Sequence, residues 1–476
     1  MKLKSIRQRL ARYRFLVTAQ NWLRHRRDEM SNELRYRSTR KRIALDGPCR
    51  TIKDHDFNVI ILVVDSLRDD ALSGSGYFRT TTPFLDTFDC RLKAISASPW
   101  TYPSVPSILT GLYPHNHGAY LSGKVKDMAR YDTYLKIRDD VLTLPEILRF
   151  FGYRIFYASG IGLTNWYKYR TGASPRLYNP TTTAGEMLRD LGDWIEDRRG
   201  PRLFAYVHLA DLHLPMKPPE NFKHFFGTVK DLPNIDTQDF FTDAQRRANP
   251  QGFVEYRHHR RLLYDNSLRY VDSAIEDFHR RLTRLGLADS TVLVVTADHG
   301  EQFWEHADFG ARHFQLVRGY SGFSHGDVPY GETIQVPLLF KGPVPARQGN
   351  GFVGTIDIVP TVLEVLGISH KWRFDGQNPF TGAEQRVLLS EASSLGHEKK
   401  SLTVGRYRLL YSKEDSTEWL FDLEKDPQEQ HPITDKGVTS VFVKRLLTML
   451  ERDEKRRALE AVRKNTTHPT RKAGSR

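Results

Sequence analysis

The ten residues FNVIILVVDS, numbered 57–66, form a continuous apolar run that ends in an aspartate and a serine. A run of this kind is typical of a parallel β-strand that is buried on both faces of its sheet. In open α/β sheets, the residues at the carboxyl end of such a strand face the ligand-binding crevice. We therefore expect a central buried strand with Asp65 at its functional end.

Further apolar runs repeat this pattern between segments with helical periodicity. PRLFAYVHLAD (201–211) and STVLVVTADHGE (290–301) both end in acidic and polar residues, and TIQVPLLFKGP (333–343) is another candidate strand. Strands that alternate with long helices predict an α/β fold with a doubly wound, mainly parallel sheet. After residue 386, VGRYRLLYS (404–412) and TEWLFDLEKDP (417–427) alternate with a period of two, which predicts a small antiparallel C-terminal subdomain.

The net charge of +14 is concentrated at the two ends of the chain. Residues 1–50 carry 15 Lys and Arg against 4 acidic residues, and residues 451–476 carry 9 against 4, so the body is nearly neutral. We divide the chain into a basic helical extension (1–56), a catalytic domain (57–385), a C-terminal α+β subdomain (386–450) and a basic, disordered tail (451–476). Basic ends can contact nucleic acid or an anionic membrane surface, although solvated tails are commoner.

The N-terminal residues favour a cytoplasmic protein. Their longest apolar run, Phe15–Val17, is far too short for a signal peptide or a membrane span. Leu3, Ile6 and Leu10 recur at helical spacing among arginines, which suits either packing on the body of the protein or peripheral contact with the inner membrane surface. The two cysteines cannot form a disulfide framework, and no nucleic-acid-binding motif is recognised.

A second stretch, SPWTYPSVPSILTG (98–111), packs hydroxyls and prolines before an apolar segment. Proline suits the first turn of a helix, so Thr101, Ser104 and Ser107 are expected near a helix N-terminus, where unpaired N–H groups favour an anion. Either one of these hydroxyls is a nucleophile or all of them serve as helix caps, which is the commoner role.

Acidic and histidine residues follow three of the candidate strands: Asp65, then Asp211 with His213, then Asp298 with His299. Carboxylates and imidazoles that converge from separate strands are suitable ligands for a divalent cation. Each acid alone could be a strand cap. Neighbours in a strand point to opposite faces, so Asp298 and His299 reach one ion only if the chain turns, which we expect Gly300 to permit.

Ordered motifs extend this pattern over residues 57–431. They are NVIILVVDSLRDDAL (58–72), PSVPSILTGLYPHNHGAY (103–120), VHLADLHLPMKPP (207–219), TVLVVTADHGEQF (291–303) and SHGDVPYGETIQVPLLF (324–340). The chain thereby resembles the sulfatase-like branch of the alkaline phosphatase superfamily.

This resemblance implies roles for individual residues. Asp65, Asp298 and His299 match metal ligands, and Thr101 stands at the position of the nucleophile, which also contacts the metal. His213 and His325 match catalytic groups that contact the transferred anion or its leaving group. His117 and Asp70 also fall at familiar positions, the latter as a supporting acid or a charged cap.

The departures from the family pattern bear on the substrate. Sulfatases of this family carry a formylglycine made from Cys or Ser where this chain has Thr101, an Arg where it has Val105, and a metal-binding Asp where it has Ser66. The family's Gly-Lys-x-His segment is replaced by ASGIGLTN (158–165). Threonine cannot become formylglycine, and a threonine sulfate must wait for attack by water, whereas a threonine phosphate beside a metal can pass to water or an alcohol.

The resemblance thus implies a metal-dependent hydrolase or transferase of phosphate esters, similar to lipoteichoic acid synthase, phosphoethanolamine transferases and nucleotide phosphodiesterases. The alternatives are a sulfuric ester hydrolase of non-formylglycine type and an inactive homologue that binds an anionic glycan or lipid. The expected cofactor is one divalent cation (Ca, Mn, Mg or Zn), with a second one conceivable at Asp211, His213 and His325. The expected substrate is a phosphorylated or sulfated lipid, glycan or small molecule, and no nucleic-acid partner is expected.

Overall fold

The computed structural model describes residues 33, 36–50, 56–120, 135–162, 175–198, 200–232, 243–314, 322–345, 351–382, 386–393 and 396–467. The strands are β1 (Cys49–Arg50), β2 (Asn58–Val64), β3 (Cys90–Ile95), β4 (Arg154–Ser159), β5 (Arg176–Leu177), β6 (Leu203–Leu209), β7 (Thr291–Thr296), β8 (Gln302–Phe303), β9 (Phe323–Ser324), β10 (Gln335–Lys341), β11 (Val353–Gly354), β12 (Ile368–Ser369), β13 (Val387–Ala392), β14 (Lys399–Val404), β15 (Tyr407–Ser412) and β16 (Thr417–Asp422). The α-helices are Thr101–Thr110, Pro114–His117, Leu144–Phe150, Ala184–Asp197, Glu220–Lys223, Asp243–Ala248, Pro250–Arg284, Ala307–His313, Gly331–Ile334, Ile358–Val365 and Lys436–Thr467, and residues 36–46 are also helical.

Eight strands form the central sheet, in the order β11-β3-β10-β7-β2-β6-β4-β5. Seven of them run in one direction, and β10 is antiparallel to both of its neighbours. Every residue of β2, β6 and β7 is buried, as expected for strands covered on both faces. The predicted α/β fold with a mainly parallel sheet is confirmed, and TIQVPLLFKGP supplies its antiparallel member.

The sheet order places the predicted polar strand ends side by side. β2 lies between β6 and β7 and is parallel to both. Asp65 directly follows β2, while Asp298 and His299 lie just beyond β7. Their side chains therefore meet at one edge of the sheet, although the residues are more than 200 positions apart in sequence.

The C-terminal part begins with a separate four-stranded antiparallel sheet in the order β13-β14-β15-β16, which confirms the predicted small subdomain. The helix Lys436–Thr467 then packs against β15 and β16 and buries Leu446. The prediction of a disordered tail from residue 451 is wrong for residues 451–467, because these residues continue the helix and Asp453 is buried. Its acidic side chain binds His115, and Arg456 one turn further along the helix binds Asp375, which fixes this part of the helix on the body.

The N-terminal extension lies outside the described residues up to position 32. Its described helical part, 36–46, buries Tyr36 and Ile43. None of the described helices is long and apolar enough to cross a bilayer.

Candidate active site

Three buried side chains meet at the carboxyl edge of the sheet. Nε2 of His208 lies 3.3 Å from Oδ2 of Asp65 and 3.5 Å from Oδ2 of Asp298. All three residues are fully buried, and each offers one ligand atom within 4.8 Å of the other two. Donor atoms bound to one small divalent cation lie about 3 Å apart, so this set can hold such an ion.

Unpaired polar atoms support the same interpretation. Within the described part of the chain, both ring nitrogens of His208 and Oδ2 of Asp298 are buried without a hydrogen-bond partner. Buried polar atoms without partners are costly, and a bound cation would satisfy Oδ2 of Asp298 and one ring nitrogen of His208. His208 is absent from the residues predicted from the sequence. Its position inside the fully buried run of β6 is the signal that could have revealed it, since a histidine there needs a partner.

Thr101 and His299 complete the centre. Oγ1 of Thr101 lies 3.1 Å from Nε2 of His299 and 3.3 Å from Oδ2 of Asp65. Nδ1 of His299 donates to the carbonyl oxygen of Gly300 at 2.7 Å, so Nε2 is the nitrogen that faces the centre and is available to a cation. Nε2 is 3.4 Å from Oδ2 of Asp298, and the two neighbours thus reach one point, as predicted.

Gly300 permits this convergence through close packing. A Cβ atom at this position would collide with the carbonyl oxygen of Glu332. The amide of Gly300 donates to the carbonyl of Thr333 at 2.8 Å, which ties the turn after β7 to the residues before β10. A side chain at position 300 would therefore force this turn or the backbone of Glu332 to move.

The three hydroxyls of the predicted loop have different environments. Thr101 is the first residue of the helix Thr101–Thr110, after an extended Trp100, so the unpaired amides of the first turn lie beside its side chain. Oγ of Ser104 donates to the carbonyl of Ser98 at 2.7 Å, and Oγ of Ser107 lies 3.0 Å from Nε2 of His117. Among these hydroxyls, Thr101 is the one that contacts the carboxylate and histidine of the centre.

His213 and His325 lie on the open side of this centre. The ring of His325 is 4.1 Å from the ring of His299 and 5.4 Å from that of His213. Nδ1 of His325 donates to Oε2 of Glu301 at 3.1 Å, and Nδ1 of His213 donates to the carbonyl of Leu214 at 2.7 Å. These bonds fix both rings and direct proton exchange with a ligand to Nε2. Glu301, which the sequence motif contains without a predicted role, is thus a supporting acid.

The electrostatics favour a bound cation. Burial opposes ionisation of Asp65, yet the charges of His213 and His299 hold its pKa well below the usual range. Burial and the charge of Asp65 raise the pKa of Asp298. Two adjacent carboxylates that resist joint ionisation become a stable dianionic site when a cation neutralises them. Burial and the nearby His299 lower the pKa of His325 to about 4.

Ser66 connects the two halves of the site. Its Oγ lies 2.9 Å from Oδ1 of Asp65 and 3.4 Å from Oε2 of Glu301, so this residue is a hydrogen-bonding bridge where the family pattern has an acid. Ser66 has φ of 62° and Ser324, just before His325, has φ of 69°. Non-glycine residues in this region carry strain, which is common beside functional groups.

Other predicted residues have structural roles. His117 packs behind the helix Thr101–Thr110, and burial lowers its pKa to about 3, so it stays neutral. Asp70 forms an ion pair with Arg68 at 2.6 Å. Asp211 accepts the amide of Ala184 at 3.0 Å and thus caps the helix Ala184–Asp197.

The second cation set predicted for Asp211, His213 and His325 is not assembled within the described ranges, where the single group of three ligands is Asp65, His208 and Asp298. The position of the sulfatase arginine holds Val105, which is fully buried. Part of ASGIGLTN, from residue 163 on, lies outside the described residues.

Comparisons with known proteins agree with this architecture. The family model described as Sulfatase matches residues 57–368, which is more than half of the chain. A low-salt glycan biosynthesis sulfotransferase from Haloferax volcanii is 24% identical over 65% of this chain and 61% of its own length. An ulvan-active sulfatase from Formosa agariphila is 23% identical over 80% of this chain and 77% of its own length. The chain thus spans less than two thirds of the first of these relatives.

Among solved structures, the phosphonate monoester hydrolase of Agrobacterium radiobacter matches with a TM-score of 0.61 and 16% identity, over 83% of this chain and 96% of that chain. A 2-O GAG sulfatase matches with a TM-score of 0.62 and 16% identity, over 86% of this chain and 94% of that chain. These likenesses show a shared fold.

Proposed function

Since this chain belongs to the sulfatase family, we propose that it transfers a phosphoryl group from an anionic phosphate ester to water or an acceptor alcohol, through a covalent intermediate on Thr101. The observation that carries the proposal is the position of Oγ1 of Thr101, 3.1 Å from His299 and 3.3 Å from Asp65 at the start of a helix. A hydroxyl with an adjacent proton acceptor, beside a dianionic cation site, is the arrangement of an activated nucleophile.

The residues of the site divide the reaction between them. Oγ1 of Thr101 loses its proton to Asp65 and forms a bond to phosphorus while the ester P–O bond breaks. Nε2 of His213 or His325 donates a proton to the departing oxygen, and an anionic substrate would raise the low pKa of His325 for this task. Water or an alcohol then gives its proton to the deprotonated histidine and attacks phosphorus, while the threonine oxygen leaves and regains its proton from Asp65.

A divalent cation fits Asp65, His208, Asp298 and His299, and when bound it neutralises the carboxylates and polarises the ester oxygen. The amides at the start of the helix Thr101–Thr110 add positive potential where charge develops on the phosphoryl oxygens. With Val105 in place of an arginine, these groups and the histidines carry the stabilisation of the anion.

The central experiment compares Thr101→Ala, Thr101→Ser and Ser104→Ala with a panel of p-nitrophenyl esters: a phosphate monoester, a phosphate diester, a phosphonate and a sulfate. Because all four esters release the same p-nitrophenol, differences in rate reflect which group the enzyme prefers to transfer. We expect Thr101→Ala to lose more than about a thousandfold in kcat/KM, Thr101→Ser to retain part of it and Ser104→Ala to stay active. Retained activity in Thr101→Ala would refute the nucleophile.

A sulfate ester is the second candidate substrate, for hydrolysis or for transfer. It is favoured by the names of two relatives, a sulfatase and a sulfotransferase. Acid-quenched protein incubated with a phosphorus-32-labelled diester should carry label in the wild type and not in Thr101→Ala. Turnover of the sulfate alone, without such label, would favour the second candidate.

A further inference from the structure

A basic cleft runs beside the C-terminal helix Lys436–Thr467, away from the active site. It consists of two cavities of about 690 and 390 Å³ that share Phe374, Asp375 and Arg456. The larger lies between the helix and the segment around residues 374–387, and the smaller includes Thr110. Thr110 ends the helix that begins at Thr101, so at about 1.5 Å per residue the cleft lies about 14 Å from the proposed nucleophile.

Basic side chains dominate the walls of this cleft. Ten basic and five acidic residues line the two cavities. Four of the acids are already bonded: Asp46 to the indole of Trp372, Asp140 to Arg138, and Asp375 and Asp453 to Arg456. Ion pairs with arginines of the same walls therefore neutralise three of the five acids.

The cations at both ends of the cleft are available to a ligand. Lys444 and Arg445 are exposed on the helix, and Lys371 and Arg373 are exposed at the other end. None of these four has a carboxylate partner among the described residues, whereas Arg386 is bound to the buried Asp357. Two pairs of uncompensated cations, joined by a continuous cleft, suit an extended ligand with repeated negative charges.

We propose that this cleft binds a linear anionic polysaccharide, with Lys444 and Arg445 holding one segment and Lys371 and Arg373 the next. The concave shape favours a single flexible chain over a bilayer, because a bilayer surface cannot enter a cleft. Bases of nucleic acid need exposed aromatic faces for stacking, but Tyr113 is buried and one face of Trp372 is covered by His370, so the cleft offers few of them. The proposal concerns binding and is independent of the phosphoryl-transfer chemistry.

The test measures the Kd of a fluorescent heparin-derived oligosaccharide by anisotropy, with the full chain carrying Thr101→Ala so that turnover cannot interfere. The two cleft variants are Lys444→Glu with Arg445→Glu, and Lys371→Glu with Arg373→Glu. Lys413→Glu with Lys425→Glu is the matched control, because both lysines are exposed outside the cleft and the change in charge is the same. Circular dichroism checks that each variant is folded.

We expect each cleft variant to raise the Kd by about tenfold and the control by less than about twofold, with the difference shrinking as salt rises. Equal effects of cleft and control variants would overturn the proposal, since binding would then reside in the basic ends of the chain. Stronger binding of anionic phospholipid vesicles or single-stranded DNA, with the same sensitivity to the cleft variants, would also overturn it. Neutral dextran should not bind.

Discussion

His115 should make the docking of the C-terminal helix depend on pH. Its Nδ1 is 2.7 Å from Oε2 of Glu391 on β13, and its Nε2 is 3.2 Å from Oδ2 of Asp453 on the helix. Both ring nitrogens can donate only when the imidazole is protonated, so the cation joins the subdomain to the helix. Burial alone would lower its pKa, but the charge of Glu391 and the bonds to both carboxylates raise it to about 9.

The size and direction of the effect follow from this pKa. A histidine with a folded-state pKa of about 9 and an unfolded value of about 6.5 stabilises the fold fully below pH 6.5. This contribution disappears as the pH rises through about 9. The difference between the folded-state and unfolded-state pKa corresponds to about 3 kcal/mol of stability at acidic pH, since each pKa unit is worth about 1.4 kcal/mol. His115→Asn removes the titrating group.

The assay is urea denaturation of the wild type and His115→Asn at about pH 6 and about pH 10. The wild type should exceed His115→Asn in free energy of unfolding, and this excess should be about 3 kcal/mol larger at the lower pH. In His115→Asn at the lower pH, the amides of the helix Lys436–Thr467 should lose protection from hydrogen exchange. His306, whose pKa is also raised to about 9 by Glu332, is present in both proteins and cancels. His431→Asn, an exposed site, is the control. Equal differences at both pH values would refute the reasoning.

Two further predictions concern the catalytic centre. His208→Gln should lower the affinity for the divalent cation by about 10- to 100-fold, measured by calorimetry, because a nitrogen ligand of the buried set is lost; unchanged affinity would exclude His208 as a ligand. Glu301→Gln should lower kcat by about 10- to 100-fold with little change in KM, because the carboxylate that orients His325 loses its charge, while the surface change Glu276→Gln should have no such effect. If Glu301→Gln alters KM alone, the acid serves substrate binding and does not orient the histidine.

Much of the fold could be predicted from local patterns. Apolar runs such as 57–66 identify buried strands, because continuous hydrophobicity reports burial on both faces. The antiparallel course of β10 could not be predicted in this way, since a buried strand has the same pattern in either direction. The helix beyond residue 451 was missed because its charged residues suggested a solvated tail, whereas Asp453 and Arg456 form ion pairs with His115 and Asp375 of the body.

The sequence by itself determined which groups the site could use: an aspartate after the first buried strand, an Asp-His pair after another, and a hydroxyl at the start of a helix. Motif order and hydrophobic periodicity are local properties of the chain, so they can be read without coordinates. Only the tertiary structure decided which groups meet, because β2 lies between β6 and β7 and brings His208 to Asp65 and Asp298. It also turned Ser104 and Ser107 toward other partners and left Thr101 facing the centre, since contacts across a sheet depend on strand order and not on distance along the chain.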